Sequence, residues 1–306
     1  MLNHSIKNIL VSLDLSDIST NVLETAVSIA KEHHANILFL NVVEIGFMFE
    51  MGGGSYISPR TIDRLTDLSR KRLNSFAIDI GKRHQIDCVS IVRVGLVPVS
   101  IIKAASDYKV DLIIMGKSET SRLKRFFISS TVRRVVKISS CPILTIPPNN
   151  GCTNSGTALI AFSSIAGIPE RYDSLLKLMG KRGKSLEIMV LSSSFTDAEI
   201  KVLKKIAKCL VKKSEQEGAQ VSGRLAFGSK AGLEILKRGI AIHAELIVVL
   251  VGSDGSFNPA FIDTSLKYVL NYTSVPVLTI PAMINSTLDI VAEPVHELLP
   301  GEIHLI

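Results

Sequence analysis

The sequence predicts an α/β protein of two tandem Rossmann-like domains, each a five-stranded, mostly parallel sheet with helices on both faces. Three observations carry that prediction. Short Val/Ile/Leu runs alternate with amphipathic stretches, the signature of parallel strands buried on both sides. The end of each half matches the other at a constant offset of 134 residues: 111–147 lies over 245–281, Phe127-Ile128 falls on Phe261-Ile262, and Leu144-Thr145-Ile146-Pro147 recurs as Leu278-Thr279-Ile280-Pro281. The chain of 306 residues is long enough to bury two separate cores.

In the first copy, strands are expected near 7–13, 37–43, 88–94, 111–115 and 142–146, with helices near 19–34, 60–84, 97–108 and 130–139. The starts of the copies are 149 residues apart, but Gly95 and Gly228 only 133, so the second copy lacks 16 residues. They belong to the stretch after the second strand, the glycine-rich, apolar segment 45–60. That segment reads equally as a flap over a ligand crevice, with Gly52-Gly53-Gly54 as its pivot, or as a surface insertion. The expected boundaries are a first domain over 1–149, a second over 150–281, and a tail over 282–306.

Composition narrows the function classes. The longest apolar run, 246–251, is far short of the ~20 residues of a bilayer helix, so no membrane insertion is expected. Four scattered cysteines form no C-x-x-C pair and suit a reducing cytoplasm. His33-His34 point to different sides of a helix and gain no further ligand, so no metal is expected. The net charge of +7 concentrates on a helix expected from Asp197 to Glu217, where Lys201, Lys204, Lys205, Lys208, Lys212 and Lys213 surround an apolar stripe. A solvated face explains that pattern, and without stacking aromatics nearby no nucleic acid is expected. No P-loop, no G-x-S-x-G elbow and no H-E-x-x-H occurs, so the chain is not expected to be an enzyme.

In the first copy an aspartate, Asp14, ends the first strand in LDLS, and Met115-Gly116 ends the fourth. Nine residues separate Glu119 from Ser129, which is followed by Ser130 and Thr131. This layout resembles the universal stress proteins, over roughly 5–147 and 156–281. Nucleotide-binding members of that family carry the Asp and a G-x-x-G-x9-G-[ST] pattern, and share the adenine nucleotide alpha-hydrolase-like fold. The resemblance implies a stress-response regulator whose first domain holds AMP, ADP or ATP. Asp14 would accept from ribose or adenine donors, Val42 would meet the adenine, Met115-Gly116 would match the strand end with its glycine open to a phosphate, and the hydroxyls of Ser129, Ser130 and Thr131 would donate to that phosphate. The chain departs from the pattern where Glu119 and Ser129 replace the second and third glycines. The second copy departs further, with Ser163, Leu250, Ser253 and Asp263 at the four positions, and no nucleotide is expected there.

The resemblance also implies association through the last strand of each domain, 142–146 with 276–280, giving an intrachain pseudo-dimer and, beyond it, a homodimer. The tail carries Asp289, Glu293, Glu297 and Glu302 with no Lys or Arg, and is expected to dock on a body of opposite charge. Two readings stay open beside the nucleotide-responsive regulator. One is a nucleotide-free dimeric scaffold for an unknown protein partner; the other is a binder of another small anionic or lipid-like ligand under the apolar loop.

Overall fold

A computed structural model describes residues 6–15, 19–44, 58–117, 130–148, 150–151, 156–162, 172, 175, 185–192, 197–216, 220–227, 230–251 and 259–281. In the first copy the order is β1 (Asn8–Ser12), α1 (Thr20–His33), β2 (Asn36–Glu44), α2 (Pro59–His84), β3 (Cys88–Gly95), α3 (Val97–Asp107), β4 (Leu112–Gly116), α4 (Ser130–Ile138) and β5 (Ile143–Ile146). In the second it is β6 (Thr157–Phe162), β7 (Ser185–Ser192), α5 (Asp197–Gln216), β8 (Gln220–Phe227), α6 (Ala231–Ala241), β9 (Ala244–Leu250), α7 (Pro259–Tyr272) and β10 (Val277–Ile280). Every strand and helix expected in the first copy is present within two residues of its expected ends. The segment 45–57, most of the expected loop, lies outside the described residues, as does the tail.

The ten strands form one sheet in the order β3-β2-β1-β4-β5-β10-β9-β6-β7-β8. Within each half all neighbours run parallel, in the same 3-2-1-4-5 order. The halves join where β10 pairs antiparallel with β5, Val277 opposite Thr145, Leu278 opposite Leu144 and Thr279 opposite Ile143. The pairing that the resemblance implied is therefore made inside one chain. Because the seam is antiparallel and each half is parallel, the carboxyl ends of the two half-sheets face opposite ways.

Alternation along the strands builds two cores, one on each face. Ile9, Val11, Ile37, Phe39 and Ile114 face α1 and α2, meeting Val22, Ala26, Leu73 and Ile80. Leu10, Leu40, Ile113 and Met115 face α3 and α4, meeting Ile101, Ala104, Val132 and Val135. Both clusters run on into the second copy, through Leu144, Ile146, Leu278 and Ile280 on one face and Ile143 and Val277 on the other. Burial of each such side chain is worth about 1.5–3 kcal/mol, so the seam is held as a core is held. On α5, Leu210 is buried while Lys201, Lys205, Lys208 and Lys212 are exposed, as a solvated lysine face requires.

Local devices repeat with the duplication. Asp111 accepts from the backbone N–H groups of Lys7 (2.8 Å) and Asn8 (3.0 Å) at the start of β1. Its counterpart Glu245 lies against Gly156, whose missing Cβ leaves the room that the carboxylate fills. Ser139 accepts from the N–H of Cys141 at 3.0 Å, and Thr273 does the same for Val275 at 3.1 Å. Lys109 and His243, each following a helix, share a positive φ of 50°.

The copies also diverge inside the core. Glu187 on β7, almost fully buried, accepts from both Nε and Nη2 of Arg238 on α6 at 2.5 Å. The first copy has Leu38 and Ala104 at the matching places, both buried. Removing one partner of a buried bidentate pair strands the other charge, so Arg238→Met is expected to cost about 3–5 kcal/mol in denaturant unfolding. Glu187→Leu with Arg238→Ala, the first copy's own solution, is expected to recover most of that loss. At the seam, the hydroxyls of Thr145 and Thr279 are buried with no hydrogen-bond partner. Replacing both by Val removes two unpaid desolvation terms and is expected to raise the unfolding midpoint, by about 1 kcal/mol or more in stability; a lower midpoint would show that the hydroxyls hold the seam.

Candidate functional site

Strand order reverses between β1 and β4, and ligands of such sheets bind outside the carboxyl ends at that point. The two strands are adjacent there, Ser12 opposite Met115. The chain leaving β1 is fixed from the β2 side: Leu13 donates to the Leu40 carbonyl at 2.8 Å, and Asn41 Nδ2 donates to the Leu13 carbonyl at 3.0 Å. Asp14 follows, exposed at the edge.

Gly116 ends β4 with Val22 of α1 packed over it, so that a Cβ would lie 3.0 Å from Val22 Cγ2. A side chain here would press on Val22 and require it to shift, whether or not a ligand comes. Met115 is 5% exposed and, with the half-buried Val42, packs into the core under α3 and α4. Only its backbone is left for the crevice. Val132 of α4 joins the same cluster, and Thr131 before it is half-buried.

The structure thus brings Asp14, Met115 and Gly116 to one edge, with Val42 one strand away. Ser129 lies outside the described residues, as does Glu119; Ser130 opens α4, but its side chain is not among those described. In the second copy Leu250 stands at the place of Gly116, buried and in register with Phe162.

Sequence reasoning missed a second concavity at the same edge, beyond β2. Val94, Gly95, Leu96, Val99 and Ser100 line a cavity of about 420 Å³, with Arg93 and Lys103 at its sides. Gly95, at φ 145°, makes the turn into α3; a glycine before a helix was the available signal. The described thiols offer no reactive group here: burial pushes Cys88 up to about 11 and Cys141 up to about 12.

Residues 5–147 match the family model described as the universal stress protein family. A universal stress protein of Methanocaldococcus jannaschii is 27% identical over 142 residues, 46% of this chain and 81% of its own length. Another, from Bacillus subtilis, is 27% identical over 142 residues, 45% of this chain and 96% of its own. Residues 5–147 form a universal stress protein domain. The fold of both copies has its likeness in a solved universal stress protein of Archaeoglobus fulgidus, with a TM-score of 0.67 and 22% identity over 89% of this chain and 95% of that one.

One residue of this universal stress protein domain ties its edge to the second copy. Lys117, directly after Gly116, donates from its backbone N–H to the Ile146 carbonyl at 2.8 Å. Its Nζ reaches across the seam to the Thr273 carbonyl, at the end of α7, at 2.9 Å. Although Lys117 adjoins Gly116, its charge is turned to the other half. A helix carboxyl end favours a cation, yet burial dominates and lowers the Lys117 pKa from 10.5 to about 8. Between those pH values the unfolded chain holds a proton that the folded one has released, so this group makes stability rise with pH. The rise is absent below about pH 8 and complete near 10.5. Lys117→Met is expected to abolish it, so denaturant midpoints of the two proteins, measured from neutral to alkaline pH, are expected to converge; parallel curves would show that the ammonium is not desolvated.

Proposed function

We propose that the chain is a cytoplasmic stress-response regulator whose first copy binds one adenine nucleotide, AMP or ADP as readily as ATP. The observation that carries the reading is the meeting of Asp14 and Gly116 at the carboxyl edge where strand order reverses. A carboxylate there accepts from ribose hydroxyls. The backbone beyond Gly116 and the first turn of α4, with Thr131 and the serines before it, receive the phosphates. The chemistry is binding rather than catalysis, since no described group at this edge is placed as a nucleophile beside a base. The family of the first copy supports the regulatory role, and the buried Leu250 at the matching edge supports a second copy without nucleotide.

A second reading, a scaffold acting through its contacts, is favoured by the continuous ten-stranded sheet and by the engagement of Lys117 with α7. Under this reading the chain needs no ligand, and a partner recognises the assembled halves. The apolar segment 45–57 remains a candidate cover for a different anionic or lipid-like ligand.

Calorimetric titration with AMP, ADP and ATP, beside mass spectrometry of small molecules released on denaturation, separates these readings. One nucleotide per chain is expected, with Asp14→Ala lowering affinity about tenfold or more, the loss of a charge-assisted hydrogen bond. No released nucleotide and no heat with any of the three would leave the scaffold reading standing.

A further inference from the structure

We propose that the cavity between β3 and α3 is a second binding site in the first copy, for a small organic phosphate with a short apolar body. Its floor is the start of α3, an 11-residue helix whose N-cap is Leu96, with no side-chain hydrogen bond and no acid in the first turn. Pro98 has no N–H, so the orphan donors of this turn are those of Leu96, Val97 and Val99. The partial positive charge of the helix end falls where those donors point.

An independent observation indicates what the turn is open for. Ser100 is 8% exposed, lines the cavity, and its hydroxyl has no hydrogen-bond partner among the described residues. Its backbone N–H is already used on the Leu96 carbonyl, at 2.9 Å. The hydroxyl lies 3.4 Å from where a Cβ on Gly95 would be, so the glycine keeps the approach to it open. The hydroxyl opens onto the cavity, where an incoming acceptor takes the place of water.

The charges around the cavity fit a phosphate held mainly by one free cation. Arg93 is engaged by Asp107 at 2.5 Å, which leaves Lys103 as the lining cation with no ion pair among the described residues. Glu44, in register with Gly95 on β2, is exposed and is not part of the lining. The other side of the cavity is apolar and open: Val94, Leu96 and Val99 are large hydrophobic side chains left at 39%, 55% and 56% exposure. A ligand with an anionic head and a few methylenes satisfies both sides at once, and the cavity volume suits such a molecule.

This site lies at the same edge as the nucleotide crevice but apart from it. From β4 to β3 is three strand spacings, roughly 14 Å, so one phosphate group does not serve both.

Chemical-shift mapping of backbone amides, during titration with inorganic phosphate, hexyl phosphate, octanoate and hexanol, tests the assignment. Hexyl phosphate is expected to bind tightest and to shift the amides of Gly95, Val97 and Val99. Ser100→Ala and Lys103→Met are each expected to weaken it about tenfold, whereas Asp14→Ala leaves it unchanged. Absence of saturable binding, equal binding by either variant, or loss of binding in Asp14→Ala would overturn the proposal; tighter binding of octanoate would overturn the phosphate head.

Discussion

Four residues on each side of one antiparallel seam decide the architecture. β5 is apolar on both faces, and so is β10; either strand alone would be a flat, hydrophobic edge of the kind that templates aggregation. Pairing them inside the chain removes both edges and joins the cores on both faces of the sheet. The same pairing turns the two halves head to tail, so that their carboxyl edges lie at opposite ends. Each edge is then free to change its chemistry without disturbing the other, while neither can lose the seam.

The second copy shows how far that freedom has been used. Its strand order and register are those of the first, yet a buried Glu187–Arg238 pair replaces an apolar contact, and Leu250 fills the place of Gly116. Gly232 on α6 lies so near α7 that a Cβ would come within 2.7 Å of the Ser265 carbonyl. The first copy has Pro98 at the matching helical position, and its ring forbids the same approach of α3 to α4. The helix start that lines a cavity in one half is therefore packed against its neighbour in the other.

How much of this was legible in the sequence follows from the range of each interaction. Strands and helices of the first copy could be placed because their burial is periodic and local: Ile9, Val11, Ile37 and Phe39 alternate with residues of the opposite face. The seam could be read because the resemblance implies that the last strands pair, and the repeat names both of them, Leu144-Thr145-Ile146 and Leu278-Thr279-Ile280. Asp14 and Gly116 could be assigned to one site through the family resemblance, since burial periodicity does not fix strand order. Lys117 could not be read, since its acceptor lies 156 residues away and comes near only through the seam. The Ser100 cavity was hidden for a different reason: a serine in a first helical turn usually satisfies itself locally, and nothing in the sequence says that this one does not.

Lys117 also explains why the edge of the first copy need not act alone. Its backbone continues the strand that ends in Gly116, while its ammonium rests on the last carbonyls of a helix in the other half. A ligand that displaced the chain at Gly116 would have to carry that backbone with it, and so strain the contact with Thr273. The duplication thus joins a universal stress protein domain to a divergent copy through a contact that neither half makes by itself.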